Sequence, residues 1–487
     1  MMGKTCHTSK ILQTAKAWIR LFLAAALILQ PGVNTVHPAQ AAATRTVNTL
    51  ADTSGGNCSG GICSLRDAIS LSADGDRIEF AVTGTITLTS AITSDKSLTI
   101  AGPGSDKLTL SGNNTTRVFF FTGDSTKTVS LSGMTIANGY YSAVTTNNIH
   151  TAAHLILDHM VFRDNTGTSH GNAVTTQGNL TITDSVFDSN TGTSYGGAVS
   201  SVFGDVTISG STFRSNGSNE QDGGALSIEG VTGAITLTIQ QCTFTGNSAY
   251  RLGGAIYLDK YVNAEITASQ FRANTTVQSS GYPSADGGAI YSEGQLTVDQ
   301  SAFFNNYSAG AGGAIATLSE LTVLNSTFYE NRGKTANALA FDKNDGSGAL
   351  TNVTLYDSIS SGELLSSIDN VIIKNSLLST PGGMSCEFVF QPSPANANNL
   401  ANDTTCQGGF SVVTPEQMNL QLKSSYLLPL AGSLAIDSSS NENCPSADQR
   451  NWARPVDGDG AGGAVCDIGA IEATETINEL YVPIVVR

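Results

Sequence analysis

Two short texts alternate through the centre of this chain and leave it very few architectures. One is Gly-Gly-Ala followed by an apolar residue: Gly196-Gly197-Ala198-Val199, Gly223-Gly224-Ala225-Leu226, Gly253-Gly254-Ala255-Ile256, Gly287-Gly288-Ala289-Ile290 and Gly312-Gly313-Ala314-Ile315, with a degenerate copy at Gly171-Asn172-Ala173-Val174. The other is Phe-x-x-Asn: Phe162/Asn165, Phe187/Asn190, Phe213/Asn216, Phe244/Asn247, Phe271/Asn274, Phe303/Asn306 and Phe328/Asn331. Successive phenylalanines stand 25, 26, 31, 27, 32 and 25 residues apart. A period in the twenties with tolerated insertions marks a solenoid, one coil per repeat, with loops absorbing the extra residues.

Between these texts lie Leu180-Thr181-Ile182-Thr183, Val206-Thr207-Ile208-Ser209 and Leu296-Thr297-Val298-Asp299. They alternate apolar and polar at period 2 and are rich in β-branched residues, so the coils are built from short strands. Strands that recur once per coil stack in parallel, which makes an all-β parallel β-helix. Each Phe is expected to point inward and stack on the next, and each Asn to form an amide ladder at a turn. The paired glycines permit positive φ and close approach of neighbouring coils.

The same grammar, with fewer glycines, runs through Ile78-Glu79-Phe80, Leu98-Thr99-Ile100 and Leu108-Thr109-Leu110, and persists weakly to Val371-Ile372-Ile373. The helix is therefore expected over residues 76–380, with caps where its strand edges would be open.

Lys4, Lys10, Lys16 and Arg20 precede the apolar run Leu21–Leu29, and Ala39-Gln40-Ala41 supplies small residues for cleavage. Residues 1–41 thus read as a secretory signal peptide. The run is too short to cross a bilayer, and no later stretch is long enough to be a transmembrane helix. The whole chain has 24 basic and 40 acidic residues, a net charge of −16, and removing the signal's four basic residues leaves −20. That balance excludes a general electrostatic grip on nucleic acid or anionic lipid. Seven cysteines remain. Six form local pairs outside the repeats, Cys58/Cys63, Cys386/Cys406 and Cys444/Cys466, as disulfides of an oxidising compartment would. Cys242 stands alone where other repeats have Ser, and is expected as a buried thiol.

Cys63-Ser64-Leu65-Arg66-Asp67-Ala68-Ile69 resembles the CSLREA motif found near the mature N-terminus of exported bacterial β-helix proteins, with Asp67 where Glu is usual. The Gly-Gly-Ala-Ile and Phe-x-x-Asn texts resemble polymorphic outer membrane protein repeats. Residues 434–472 resemble a choice-of-anchor Q region through Leu434-Ala435-Ile436-Asp437, Asp448-Gln449-Arg450, Arg454-Pro455 and Cys466-Asp467-Ile468-Gly469-Ala470-Ile471-Glu472, with Arg450-Asn451 in place of the usual Arg-Gly. These resemblances imply a right-handed, pectin-lyase-like β-helix outside the cell or at its surface, and no defined catalytic activity. The expected organisation is a signal at 1–41, a CSLREA-type cap at 42–75, the β-helix at 76–380, the choice-of-anchor Q-like region at 381–472 and a tail at 473–487.

Chemistry is harder to find. The pairs Asp222/Glu229 and Asp286/Glu293 flank equivalent Gly-Gly-Ala strands and could supply two acids for glycoside hydrolysis, yet they are expected as solvated turn residues. The Asn-Thr-Asp, Asp-Asp and Gly-His-Gly series of polygalacturonases is missing. Uronate elimination needs a cation and a base, for which Arg163, Arg214 and Arg272, each following an inward Phe, are the candidates. With Asp188 between them, Arg163 and Arg214 are more simply a ladder of surface ion pairs. His150, His154, His159 and His170 crowd one stretch without a spacing that enforces a metal site. Asp457 and Asp459 resemble half a calcium loop lacking the Glu at its twelfth position. No cofactor other than such a calcium ion is expected.

The reading that follows is a secreted or cell-surface β-helix protein that binds an extracellular glycan or surface protein, as an adhesin does, without catalysis. The rival is a polysaccharide lyase or other carbohydrate-active enzyme on the same fold.

Overall fold

A computed structural model describes residues 42–474 apart from 148–150, 169, 232, 278–285, 342–346, 360–361, 368–370 and 389–392. The segment 1–41 expected to be a signal, His150, most of the insertion between Asn274 and Gly287, and the tail from 475 onward lie outside the described residues. The fold below is that of the described residues from Ala42 onward.

The described residues build three long sheets: sheet 1 with 13 strands, sheet 2 with 14 and sheet 3 with 12. One coil shows the path. The chain runs through Leu180–Thr183 in sheet 1, Val186–Asp188 in sheet 2 and Val199–Val202 in sheet 3, then re-enters sheet 1 at Val206–Ser209. The pairings within these sheets are parallel and, through the repeats, one coil apart, for example Leu180 with Val206, Phe187 with Phe213 and Val199 with Leu226. Period-2 alternation explains the stacking. Leu180 and Ile182 are buried in the bore while Thr181 and Thr183 face outward, and the same holds in each coil.

The aromatic column forms as the repeat implies. Phe162, Phe187, Phe213, Phe244, Phe271, Phe303 and Phe328 are fully buried. Consecutive rings lie 4.6–4.9 Å apart and within 6° of parallel. Ring spacing is here imposed by strand spacing, about 4.8 Å.

The Asn ladder runs beside that column, and the turn positions expected of it prove to be interior ones. Asn165, Asn190, Asn216, Asn247, Asn274, Asn306 and Asn331 are all buried. They lie at the corner where the chain leaves sheet 2 for a short fourth sheet, as Asn190 does between Val186–Asp188 and Thr191–Gly192. Asn190 Nδ2 donates to Asn216 Oδ1 at 3.0 Å and to the Phe162 carbonyl at 3.1 Å, while Asn190 N–H also donates to Asn216 Oδ1 at 3.1 Å. The buried amide is thereby satisfied on both sides. The first rung finds other partners, while the last keeps the Phe carbonyl. Asn165 Oδ1 accepts Gly139 N–H at 2.8 Å, and its Nδ2 donates to the Ile136 carbonyl at 3.1 Å, where the earlier coil has no Phe. At the far end Asn306 Nδ2 donates to Asn331 Oδ1 at 2.8 Å, and Asn331 Nδ2 to the Phe303 carbonyl at 2.9 Å. The corner turns these amides inward because the buried backbone groups around them need partners that only a side chain can reach.

A parallel serine ladder has no counterpart among the sequence expectations: Met160 N–H donates to Ser185 Oγ, Ser185 N–H to Ser211 Oγ, and Cys242 N–H to Ser269 Oγ. Cys242 is the sulfur-bearing rung of that ladder and is buried and unoxidised.

The glycine pairs divide the labour. Gly253 takes φ 64°, and a Cβ on Gly254 would come within 2.1 Å of the Gly288 carbonyl one coil on. The first glycine is needed for its conformation and the second for its lack of a side chain.

At the N-terminal end, helix Leu65–Leu71 closes the bore. Asp67 completes a capping box with Ser64 and also accepts Gly56 N–H at 3.1 Å, so the shorter acid performs the capping role. Disulfides join Cys58 to Cys63, Cys386 to Cys406 and Cys444 to Cys466. The C-terminal region folds back on the outer face of sheet 2. Gln300 Nε2 donates to the Asp448 carbonyl at 3.0 Å, Asn352 Nδ2 to the Asp467 carbonyl at 2.8 Å, and Ala470 N–H to Thr354 Oγ1 at 3.0 Å. Part of that face is therefore covered by the chain itself. No helix among the described residues is long and apolar enough to cross a membrane.

Candidate functional site

The outer face of sheet 3 carries Thr145, Thr175, Ser200, Ser227, Tyr257, Tyr291 and Ala316 at matched positions on successive coils. Two positions further along the strands come Glu229, Asp259 and Glu293, again one per coil. Asp222 and Asp286 stand on the opposite side, each immediately before a Gly-Gly-Ala turn. Parallel stacking turns these sequence columns into a trench along the helix axis, floored by serine and tyrosine and walled by carboxylates.

Asp222 corrects the expectation of a solvated turn residue, because it is 1% exposed. Arg251, from the next coil, meets it with Nε–Oδ1 at 3.1 Å and Nη2–Oδ2 at 3.0 Å, and Leu252 N–H donates to Oδ1 at 3.0 Å. Burial pushes the Asp222 carboxyl up to about 6 in spite of the guanidinium. Glu229 accepts the Ser227 hydroxyl at 3.0 Å, and burial raises its pKa against that hydrogen bond. His170 and Asp259 are close enough to act on its charge. The Tyr257 hydroxyl donates to Glu293 Oε1 at 3.2 Å. Burial first, and then the neighbouring Glu293, Asp222 and Glu229, hold Tyr257 protonated well above the ordinary phenol range. Tyr291 stacks beside it at 6.1 Å, and His170 stacks on Tyr195 at 5.5 Å.

A partly desolvated trench strengthens every charge interaction inside it, and carboxyls raised toward neutrality can both give and take protons. The sequence pairs Asp222/Glu229 and Asp286/Glu293 thus share one site. Asp259, Tyr257 and Arg251 were missed, although Asp259 follows Gly253 by six residues as Glu229 follows Gly223 and Glu293 follows Gly287.

The three arginine candidates lie elsewhere, on the outer face of sheet 2. Arg214 Nη2 pairs with Asp188 Oδ2 at 2.7 Å, and Arg163 Nη1 with Asp164 Oδ2 at 3.2 Å. Arg272 lies over the Phe304 ring at 4.5 Å and donates to the Ser424 carbonyl of the folded-back C-terminal region. The described histidines take separate partners. His154 Nε2 meets Thr181 Oγ1 at 3.0 Å, and His159 lies between Asp158 and Asp184 at 2.9 and 3.9 Å. Asp457 and Asp459 are brought together with Asp437, their carboxylate oxygens within 4.8 Å of one another. Asp457 accepts Gly460 and Gly462 N–H groups there, and Asp437 accepts those of Gly458 and Asp459.

Residues 199–375 match the family described as a right handed beta helix region. No curated protein matches the chain in sequence. Among solved structures, the PL6 family alginate lyase AlyGC is similar with a TM-score of 0.55 and 14% identity, over 88% of this chain and 58% of that one. The PL6 family polysaccharide lyase from Pseudopedobacter saltans follows at a TM-score of 0.45 and 15% identity, over 80% and 97%. The pectate lyase Pel9A gives 0.34 and 14%, over 89% and 98%. The chain thus spans 58% of the length of AlyGC. At these identities the likeness is one of fold, and the chain is a right-handed parallel β-helix protein.

Proposed function

We propose that the chain is an exported carbohydrate-active protein, a polysaccharide lyase, that works on a uronate polymer laid along the sheet 3 trench. The observation that carries this reading is the gathering of Asp222, Glu229 and Glu293 around the Tyr257 hydroxyl on the outside of a rigid β-helix. In this reading Glu229 takes the proton from the carbon beside the uronate carboxyl, and the glycosidic C–O bond breaks. Tyr257, backed by Glu293, then returns a proton to the leaving oxygen. Arg251, held by Asp222, brings positive charge to the trench wall. Because the walls are acidic, a uronate polymer would enter with a divalent cation bridging it to the carboxylates. Export is supported by the text of residues 1–41, by the three disulfides and by the CSLREA-like and choice-of-anchor Q-like motifs.

The test is ultraviolet absorbance of unsaturated uronate ends, using residues 42–487 with a panel of uronate polymers, with and without calcium. Polymer retention is measured in the same incubations. A rise with one polymer, abolished by Tyr257→Phe and by Glu229→Gln, is the expected result. A second reading, glycan binding without chemistry as in an adhesin, is favoured by the two-point Asp222–Arg251 pair, which already neutralises one carboxylate. Flat traces with retained polymer would select it, and flat traces without retention would sink both.

A further inference from the structure

The outward column of sheet 3 runs on past Thr145 to Phe120 on the preceding coil. Arg117 lies over the Phe120 ring, its guanidinium carbon 5.3 Å from the ring centre, and its Nε donates to the Tyr141 carbonyl of the next coil at 2.8 Å. In a chain with 24 basic and 40 acidic residues, arginines such as Arg66, Arg214 and Arg251 each meet a carboxylate. Arg117 meets none among the described residues. Burial lowers its pKa, and the one titratable group that acts on its charge is Tyr141, itself 47% exposed. The two Nη groups of Arg117 have no partner among the described residues, and neither is buried. A half-buried cation without a counter-ion is stabilised by a ligand that brings it an anion. Two free Nη groups in one plane match the two oxygens of a carboxylate.

The wall positions between Arg117 and the trench carry no carboxylate among the described residues. Tyr195 and His170 occupy the place of Asp222 on the two preceding coils, and Val202 and Gln177 that of Glu229. The acids therefore begin at Asp222 and Glu229, and an unpaired guanidinium stands beyond an acid-free stretch. From Phe120 the outward column passes Thr145, Thr175 and Ser200 to Ser227, on the coil of Glu229. Four coil rises of about 4.8 Å put the coils of Arg117 and Glu229 about 19 Å apart along the axis. One rise is close to the length of one pyranose, so that distance corresponds to about four sugars.

We propose that Arg117 is a distal subsite that binds the carboxylate of a uronate unit through its two Nη groups, about four sugars from the unit held at Glu229. The inference rests on the polysaccharide reading above and deepens it. The preferred substrate is then a long uronate chain, gripped directly by a guanidinium at one end of the face and through a divalent cation at the acidic trench.

The experiment is calorimetric titration of residues 42–487, with calcium and in the cold so that turnover is slow, using trimers and octamers of galacturonate, mannuronate and guluronate. For the uronate that binds, wild type is expected to hold the octamer about tenfold more tightly than the trimer, as one charge-assisted pair would provide. Arg117→Met keeps an apolar stem over Phe120 and gives up one exposed hydrogen bond, so its thermal midpoint and its trimer affinity should stay near wild type while the octamer preference disappears. Arg117→Lys keeps the charge without the planar fork and should retain only part of the preference. Equal wild-type affinity for trimer and octamer, or a preference that survives Arg117→Met, overturns the subsite and leaves the polysaccharide reading standing. Binding of none of these oligomers by wild type overturns both.

Discussion

Arg251 grips Asp222 across one coil through two hydrogen bonds, at 3.1 and 3.0 Å, and the carboxylate it holds is almost completely out of water. Such a pair adds little net stability over an apolar pair, but removing one partner strands the other. Arg251→Met is therefore expected to destabilise the protein by about 3 kcal/mol or more, and Arg251→Met combined with Asp222→Leu by less. Chemical denaturation of both variants checks this, and a single variant that costs no more than the double would refute it.

The Asn ladder makes a prediction of a different kind. Asn216 Oδ1 receives both the side-chain amide and the backbone N–H of Asn190, while Asn216 Nδ2 serves Asn247 and the Phe187 carbonyl. Asn216→Leu orphans several buried polar groups at once, each costing about 1–3 kcal/mol. The expected loss of at least about 3 kcal/mol would be read from the denaturant midpoint, and a loss confined to a few tenths would show that the ladder is ornamental.

The C-terminal region should respond to pH. Asp467 is fully buried against Glu472, and burial with that neighbouring carboxylate pushes it up to about 7. A carboxyl whose folded pKa lies above its unfolded value binds its proton more tightly in the folded state. Its stabilising share is therefore complete below about pH 4 and is lost as pH rises through about 7. Amide hydrogen exchange across residues 434–473 should quicken between pH 5 and 8 beyond the intrinsic rate, and Asp467→Asn should flatten the effect. An opposite slope would contradict the buried-pair account.

Cys444–Cys466 closes the segment whose far end, from Asp467 to Ala470, bonds to Asn352 and Thr354 on sheet 2. The double variant Cys444→Ser, Cys466→Ser is expected to lose about 3 kcal/mol of local stability. Limited proteolysis should then cut within 440–465 while the coils stay intact, and unchanged digestion would argue that the docking contacts suffice alone.

Much of this architecture was legible beforehand for a specific reason. In a β-helix each residue's neighbour is its own counterpart one coil away, so Phe213 meets Phe187 and Phe244, and the periodic text records the packing. The same text placed Asn165, Asn306 and Asn331 in one column with the other rungs, but not the depth at which that column is buried. The serine column was visible as the position where Cys242 replaces Ser, but its hydroxyls' bonds to the backbone N–H groups of the neighbouring coil were not. The trench was half legible. Asp222/Glu229 and Asp286/Glu293 stood out by their places beside the glycines, but Arg251 has no counterpart in the other coils, and the Tyr257/Tyr291 match follows coils that carry Ser or Thr at that position.

The stacked coils, the Phe and Asn ladders that line them and the three disulfide pairs are encoded in the linear text, because all depend on contacts that recur at one period or lie close along the chain. Which faces of the coils are covered depends instead on long-range contacts. Arg272 is tied to Ser424, 152 residues away, and Gln300 to Asp448, 148 residues away, by segments that repeat nothing. Such contacts leave no periodic trace, so the covering of part of sheet 2 appears only when the folded chain brings those segments together.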